Sequence, residues 1–177
     1  MSRLAAASLV VVLISACSAN NLGGGPMTST PTPPISPQQA QDTLIGYLKK
    51  TLQALPPGTT LDATRYAPTN TPPCQDVTTG TPPRALTTIG DLTLPSGTDP
   101  QAIVAKTGDI WKSWGWNVVE RDGFDKPNRF GYAPDGYSLQ IEARSRPGFA
   151  PSLQGVSPCF PAELPDNRSP FPTILTG

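Results

Sequence analysis

The sequence contains no histidine among its 177 residues. This absence removes the commonest general base, the usual partner of a nucleophilic serine or cysteine, and the commonest zinc ligand. Charged residues are also scarce, at 15%, and they balance to a formal net charge of zero. Such a balance does not indicate nucleic acid or an anionic membrane surface as a partner. The composition therefore weighs against hydrolase, metalloenzyme and haem-protein functions, although it leaves carboxylate chemistry open.

Long apolar segments are missing as well. The apolar run at residues 4–14, LAAASLVVVLI, follows Arg3 and has no charged side chain. As a helix it would cover roughly 16 Å, about half of a bilayer core, whereas a transmembrane helix needs about 20 residues. The length fits the apolar region of a secretory signal peptide. We therefore predict a signal peptide over residues 1–16.

The residues that end this run, LISAC, place Cys17 directly after two small residues. This order resembles the bacterial lipobox, which implies cleavage before Cys17, a diacylglycerol on its sulfur and usually a further acyl chain on its amino group. Two or three chains hold a protein stably on a membrane, whereas one chain holds it only marginally. We therefore expect a lipid-anchored protein on the extracytoplasmic face of the cell membrane. The alternative is an ordinary secreted protein whose cysteine merely lies near the cleavage site.

Lipid on Cys17 would also explain the odd number of cysteines, which is three. Cys74 and Cys159 would then remain, and an exported chain lies in an oxidising compartment, so we predict a disulfide between them. Closing so long a loop would contribute about 4–4.5 kcal/mol to stability. The alternative is two free buried thiols. The sequence has no CxxC motif and hence no support for an oxidoreductase.

The 23 prolines and 16 glycines are distributed unevenly along the chain. Residues 17–36, which begin with the acylated cysteine, are rich in Gly, Ser, Thr and Pro and are predicted to form a flexible tether. Residues 161–177 hold four prolines and are predicted to form an extended tail. A single domain is expected between them, over residues 37–160.

Two helices are predicted within that domain. The first covers residues 38–54, because Ser36 is a good N-cap, Pro37 suits the first helical position and Gln39 completes a capping box. The second begins after Thr98 or Asp99 and ends at Gly115.

Six segments have the composition or alternation of strands, and the first of them is a weak candidate. The last is predicted to be an edge strand. The segments are residues 60–66, 84–95, 116–123, 129–132, 137–144 and 152–159. This order predicts a two-layer α+β sandwich, with two helices packed on one face of a four- to five-stranded, mainly antiparallel sheet.

Three tryptophans, Trp111, Trp114 and Trp116, are the clearest candidates for ligand contact. The spacing of Trp111 and Trp114 matches the apolar stripe of the second helix, which favours a core position. The alternative is an aromatic platform for a sugar ring or an acyl chain.

Charged residues form two groups. Those from Arg121 to Arg129 interleave both signs and are predicted to lie in a solvated loop. Glu142, Arg144 and Arg146 are predicted on the exposed side of a strand, with substrate binding as the alternative. No nucleophile, phosphate-loop, dinucleotide or zinc motif is present, so we predict no catalytic residue, no metal site and no cofactor.

Four segments together resemble the LppA-type lipoproteins of mycobacteria. They are PPCQD, DPQAIVAKTGDIWKSWGW, DGYSLQIEARS and SPCF. The resemblance implies an actinobacterial envelope lipoprotein in which Cys74 and Cys159 are paired, and it supplies no catalytic residues.

These observations favour a non-enzymatic lipoprotein that presents a small domain to a protein or another envelope component. One alternative is a carrier or sensor of a small apolar or glycolipid ligand, which needs an apolar cavity of several hundred Å³. A weaker alternative is a carboxylate-based envelope hydrolase, which needs two acids whose environments separate their pKa values.

Overall fold

Two helices and seven strands form the part of the chain that the computed structural model describes, residues 35–67, 69–146 and 149–177. The predicted signal peptide, Cys17 and nearly all of the predicted tether lie outside these residues. The elements in chain order are α1 (Pro37–Gln53), β1 (Thr60–Asp62), β2 (Thr87–Thr93), α2 (Pro100–Ser113), β3 (Asn117–Val119), β4 (Asn128–Tyr132), β5 (Ser138–Glu142), β6 (Ser152–Val156) and β7 (Ile174–Thr176).

Helix α1 begins with the predicted capping box. The Gln39 amide N–H donates to the Ser36 hydroxyl over 3.1 Å, and the Ser36 amide N–H donates to the Gln39 side chain over 2.9 Å. These two bonds satisfy donors that a helix N-terminus otherwise leaves unpaired. Leu44, Leu48 and Leu52 are buried along one stripe of the helix. The predicted boundaries, 38–54, are confirmed to within one residue.

Helix α2 begins at Asp99, one of the two predicted caps. Its carboxylate accepts a hydrogen bond of 3.0 Å from the Gln101 amide. Trp114 is the C-cap, and Gly115 follows with a φ of +79°, a conformation that suits glycine at a helix end. Val104 and Trp111 are fully buried.

The strands form one antiparallel sheet in the order β3-β4-β5-β6-β2-β1-β7. The α+β class is confirmed, but the sheet has seven strands where the sequence predicts four to five. Strand β6, which is predicted to lie at an edge, is the central strand and pairs with both β5 and β2. Its residues Leu153 and Gly155 are buried on the side that faces the helices.

Strand β7 corrects the prediction of an extended tail after residue 160. It pairs antiparallel with β1 and places Leu175 opposite Leu61. Both side chains are almost completely buried. The domain therefore includes the chain as far as Gly177.

Gly90 is predicted to make β2 irregular, yet the ladder continues through it, because Gly90 pairs with Leu153. Glycine is required there for space. A Cβ at this position would lie 2.8 Å from the Leu61 Cδ1 atom and 2.8 Å from the Asp62 carbonyl oxygen.

Both helices lie on the same face of the sheet and approach it closely at three glycines. A Cβ on Gly131 would lie 2.6 Å from the Trp111 ring, and one on Gly155 would lie 2.7 Å from Leu44. A Cβ on Gly108 of α2 would lie 2.7 Å from the Arg129 side chain. The helices therefore rest directly on the strands at these positions.

Candidate functional site

The disulfide predicted between Cys74 and Cys159 is confirmed, since their sulfur atoms lie 2.12 Å apart. Cys74 lies in the long segment between β1 and β2, and Cys159 follows the central strand β6. The amide N–H of Cys74 also donates to the Pro83 carbonyl over 2.8 Å. The bond thus fastens the segment before β2 to the end of β6.

The predicted ligand-contact aromatics lie in one cluster between the helices and the sheet. Trp111 and Trp116 are buried, and their ring centroids are 6.0 Å apart. The Trp111 indole N–H donates to the Thr51 hydroxyl over 3.1 Å, so its polar atom is satisfied inside the protein. Trp111 and Trp116 therefore belong to the core.

Trp114 lies at the margin of this cluster and is half-buried. The Lys50 ammonium lies 4.1 Å from the centroid of its ring, a cation–π contact. Ligand contact by Trp114 stays a prediction, and a ligand stacking on that ring face would have to displace Lys50.

Tyr47 extends the aromatic cluster toward the turn between β4 and β5. Its ring lies 4.9 Å from that of Trp116, and its hydroxyl donates to the Asp135 carboxylate over 2.7 Å. Burial, the hydrogen bond to Asp135 and that residue's negative charge together raise the pKa of Tyr47 to about 12, and burial is the largest of these causes.

The opposite side of the sheet, which we call the outer face, has neither of the two described helices packed against it. Residues of neighbouring strands form rows across it, because the register is regular. One row crosses β4, β5, β6 and β2 as Phe130, Gln140, Gln154 and Ile89. This row is polar at its centre and apolar at its two ends.

The outer face carries an ion-paired group, which we call the arginine cluster: Arg65, Tyr66, Asp91 and Arg144. The Asp91 carboxylate lies 2.8 Å from Arg65 Nε and 2.6 Å from Arg144 Nη2. The Tyr66 hydroxyl accepts from Arg144 over 2.8 Å and donates to Asp91 over 3.1 Å. These bonds to Asp91 and Tyr66 raise the pKa of Arg144.

A shallow, largely open depression of about 250 Å³ adjoins this cluster; we call it the arginine pocket. Its lining residues are Arg65, Asp125, Arg144, Ser145, Arg146 and Phe149. A second cavity of about 200 Å³ shares Arg144, Arg146 and Phe149 in its lining and reaches the first turn of α2. Arg144 and Arg146, predicted on an exposed strand face, therefore line concave surface, while Glu142 accepts a hydrogen bond from Gln140.

The charged loop between β3 and β4 is held by a buried residue that the charge pattern does not reveal. Asn128 is fully buried, and its side chain bonds the Arg121 amide over 2.8 Å and the Arg121 carbonyl over 2.9 Å. Lys126 pairs with Asp122 at the surface over 2.6 Å. The loop is thus solvated on the outside, as predicted, and anchored from within.

Within residues 35–67, 69–146 and 149–177, no group of three or more His, Cys, Asp or Glu side chains is placed to hold a metal ion. Over the same residues, neither helix has both the length and the apolar character needed to cross a bilayer. Comparison of the chain with protein-family models, curated proteins and solved structures found no match.

The sequence indicates Arg144 and Arg146 but not the residues that lie beside them in the arginine pocket and the arginine cluster. Arg65, Asp91 and Asp125 come from three different segments of the chain. Asp91 carries one signal, since the alternation of β2 places it on the side opposite the buried Leu92. No sequence signal places Arg65 or Asp125 beside it.

Proposed function

We propose that this protein is a non-enzymatic lipoprotein of the cell envelope, similar to the LppA type, that is anchored through acylated Cys17 on the extracytoplasmic face of the membrane. In this proposal the tether holds the disulfide-closed domain away from the lipid surface. The domain presents the outer face of its sheet to a protein or another envelope component.

The observation that carries the proposal is the difference between the two faces of the sheet. One face is filled by α1 and α2. The other has no helix of the described chain upon it and bears polar side chains, aromatic residues and the arginine pocket. A domain built in this way is suited to binding a partner on its surface and not to enclosing a ligand between its layers.

The carrier alternative is disfavoured by the packing between the layers. At Gly131 and Gly155 the helices approach the sheet so closely that a single methyl group does not fit. A cavity of about 360 Å³ is an open cleft at the end of α1, and its lining includes Leu52, Leu55, Thr60 and Gly177. Its mixed polar and apolar lining does not suit an acyl chain.

The hydrolase alternative finds no support in the acids of the domain. A carboxylate-based mechanism needs a general acid whose pKa is raised. Four carboxyl groups of the described domain have a shifted pKa, and in each the pKa is lowered. The main cause is a hydrogen bond that the carboxylate accepts from Thr64, Lys126, Ser145 or Arg168. The acids concerned are Asp62, Asp122, Asp125 and Asp166.

The anchor is tested by fractionation of cells that express the full chain. Cys17→Ala should move the protein from the membrane fraction to the soluble fraction, because the acylation site is gone. Globomycin, which blocks the lipoprotein signal peptidase, should make the uncleaved precursor accumulate. The matched control is the double variant Cys74→Ser with Cys159→Ser, which should remain in the membrane. Unchanged membrane association of Cys17→Ala would refute the anchor.

Presentation of the outer face is tested by photo-crosslinking in cells. A crosslinking residue at Gln154, in the middle of the outer face, should form adducts with an envelope component. The same residue at the exposed Lys49, on the helix side, should form few or none. Equal adducts at both positions would contradict the proposal.

A further inference from the structure

We propose that the arginine pocket binds the phosphate group of a polyol phosphate ester. This inference deepens the proposed function, because it names the chemistry of an envelope component that the outer face would recognise. The binding itself needs no membrane anchor, so it can fail or succeed independently of the role of Cys17.

The charge of the residues that line the arginine pocket favours an anionic ligand. Three guanidinium groups, those of Arg65, Arg144 and Arg146, border a cavity of about 250 Å³ together with one carboxylate, that of Asp125. Asp91 supplies a second carboxylate, which is ion-paired with Arg65 and Arg144. The local excess of positive charge and the forked shape of guanidinium groups suit a phosphate.

The arginine pocket is also pre-organised for binding. Asp91 and Tyr66 fix Arg65 and Arg144 by the bonds described above. Among the described residues, these bonds leave Arg144 Nε and Nη1 without a protein partner. Because the two side chains are already held in place, little rotamer freedom remains to be lost when a ligand binds.

Arg146 has no ion pair or hydrogen bond through its side chain in the described structure. Its guanidinium lies 5.3 Å from the ring centroid of Phe149. Five donors of an arginine are therefore open to a ligand, beside an aromatic side chain that is 48% exposed. An unpaired guanidinium in a concave site is a natural contact for an anion.

Asp125 narrows the class of ligand. Its carboxylate accepts from the Ser145 amide over 3.0 Å and from the Ser145 hydroxyl over 2.6 Å. These bonds lower its pKa, so it stays ionised and can accept a hydrogen bond from a ligand hydroxyl. A phosphate carried on a polyol therefore fits the pocket better than inorganic phosphate. Such an ester is either a free metabolite or a lipid headgroup, and Phe149 provides apolar surface for the second.

The test uses the full chain, purified in a non-ionic polyoxyethylene detergent and titrated by calorimetry. The probes are inorganic phosphate, glycerol 3-phosphate and monomeric dihexanoylphosphatidylglycerol. We expect saturable binding of at least one ester, more tightly than inorganic phosphate. Arg146→Gln should weaken that binding about tenfold, since it removes charge-assisted hydrogen bonds and no structural contact to the protein backbone. Lys49→Gln, the same loss of charge on the helix side, should leave the affinity unchanged.

The two sources of the ester are separated by the probes and by Phe149→Ala. Tighter binding of the lipid than of glycerol 3-phosphate, lost in Phe149→Ala, assigns a lipid headgroup. Equal binding of both esters, unaffected by Phe149→Ala, assigns a free metabolite. The proposal is overturned if no probe binds saturably, if inorganic phosphate binds as tightly as the esters, or if Arg146→Gln and Lys49→Gln have the same affinity.

Discussion

At the scale of single residues, Tyr47 connects the helix layer to the turn that leads into β5. Its hydroxyl donates to Asp135 in that turn, and its ring contacts Trp116 and Tyr137. One side chain therefore links α1 to the end of the sheet through both packing and a charge-assisted hydrogen bond.

The raised pKa of Tyr47 makes the stability of the protein depend on alkaline pH. The unfolded chain releases this proton near pH 10, whereas the folded chain holds it to about pH 12. Between these values the unfolded state binds fewer protons, so the free energy of unfolding falls as pH rises. Urea denaturation at intervals from pH 9 to pH 12 should show this decline. It should be smaller in Tyr47→Phe, in which the titrating group is absent.

The same tyrosine can be followed directly by ultraviolet titration at 295 nm. Asp135→Asn removes the negative charge that opposes ionisation of the phenol and leaves only a neutral acceptor for its hydroxyl, so it should lower the pKa of Tyr47. Burial, the larger cause, remains, so the pKa should stay above 10. An unchanged titration curve in Asp135→Asn would contradict the contact between the two residues.

Gly131 is the residue at which α2 meets β4 most closely. In Gly131→Ala the new methyl group would lie 2.6 Å from the buried Trp111 ring, which cannot move aside freely. Such overpacking should lower the free energy of unfolding by about 1–3 kcal/mol. The control is Gly46→Ala on the exposed side of helix α1, where nothing lies within 4 Å of the added Cβ. That variant should be more stable by about 0.5–1 kcal/mol. Chemical denaturation of both variants checks the pair.

At the scale of elements, β7 shows how a three-residue strand can matter to the core. Leu175 is 2% exposed and faces Leu61, whereas its neighbour Ile174 is 54% exposed. Leu175→Ala should therefore lower the free energy of unfolding by about 2–5 kcal/mol. Ile174→Ala should change it by no more than about 0.5 kcal/mol. Similar losses in both variants, measured by urea denaturation, would show that β7 is not docked on β1.

The helices were predictable from sequence because their signals are local. Ser36, Pro37 and Gln39 lie within four positions, and the two capping bonds join Ser36 and Gln39. The apolar stripe of α1 repeats at helical spacing, and the turn beyond α2 contains a glycine where a positive φ is needed. These signals require no knowledge of the rest of the chain.

The strand order was not predictable, because strand pairing depends on distant residues. Thr87 of β2 lies opposite Val156 of β6. An alternating apolar pattern indicates that a strand has a buried side, but it does not name the neighbours, so β6 was assigned to an edge. Strand β7 is too short, and too close to Pro170 and Pro172, to be recognised by composition.

The candidate site is limited in the same way. The alternation of β5, continued beyond the buried Ala143, places Arg144 on the outer face, so this position of Arg144 was predictable. Its partner Asp91 is 53 positions away, and Tyr66 is 78 positions away. Only the folded sheet brings these groups together, so the arginine cluster has no signature in any single segment.

At the scale of the whole molecule, the disulfide closes a loop with a sequence separation of 85 between its cysteines. In the chain-entropy model its loss costs about 4 kcal/mol, because the unfolded chain gains freedom. The double variant Cys74→Ser with Cys159→Ser should show this loss in urea denaturation. The wild-type protein should lose a similar amount when reductant is present, and the double variant should not respond to reductant. Stability of the double variant equal to that of the wild type would contradict a structural role for the bond.

The position of β6 also determines the order in which the protein can fold. Strands β3, β4 and β5 form a meander on one side of it, and β2, β1 and β7 form the other side. Until residues 152–156 have been synthesised, these two groups of strands have no connection through the sheet. Pairings between such distant segments are slow to form, since loop closure precedes the contacts that reward it. The complete sheet can therefore form only after nearly the whole chain has been synthesised.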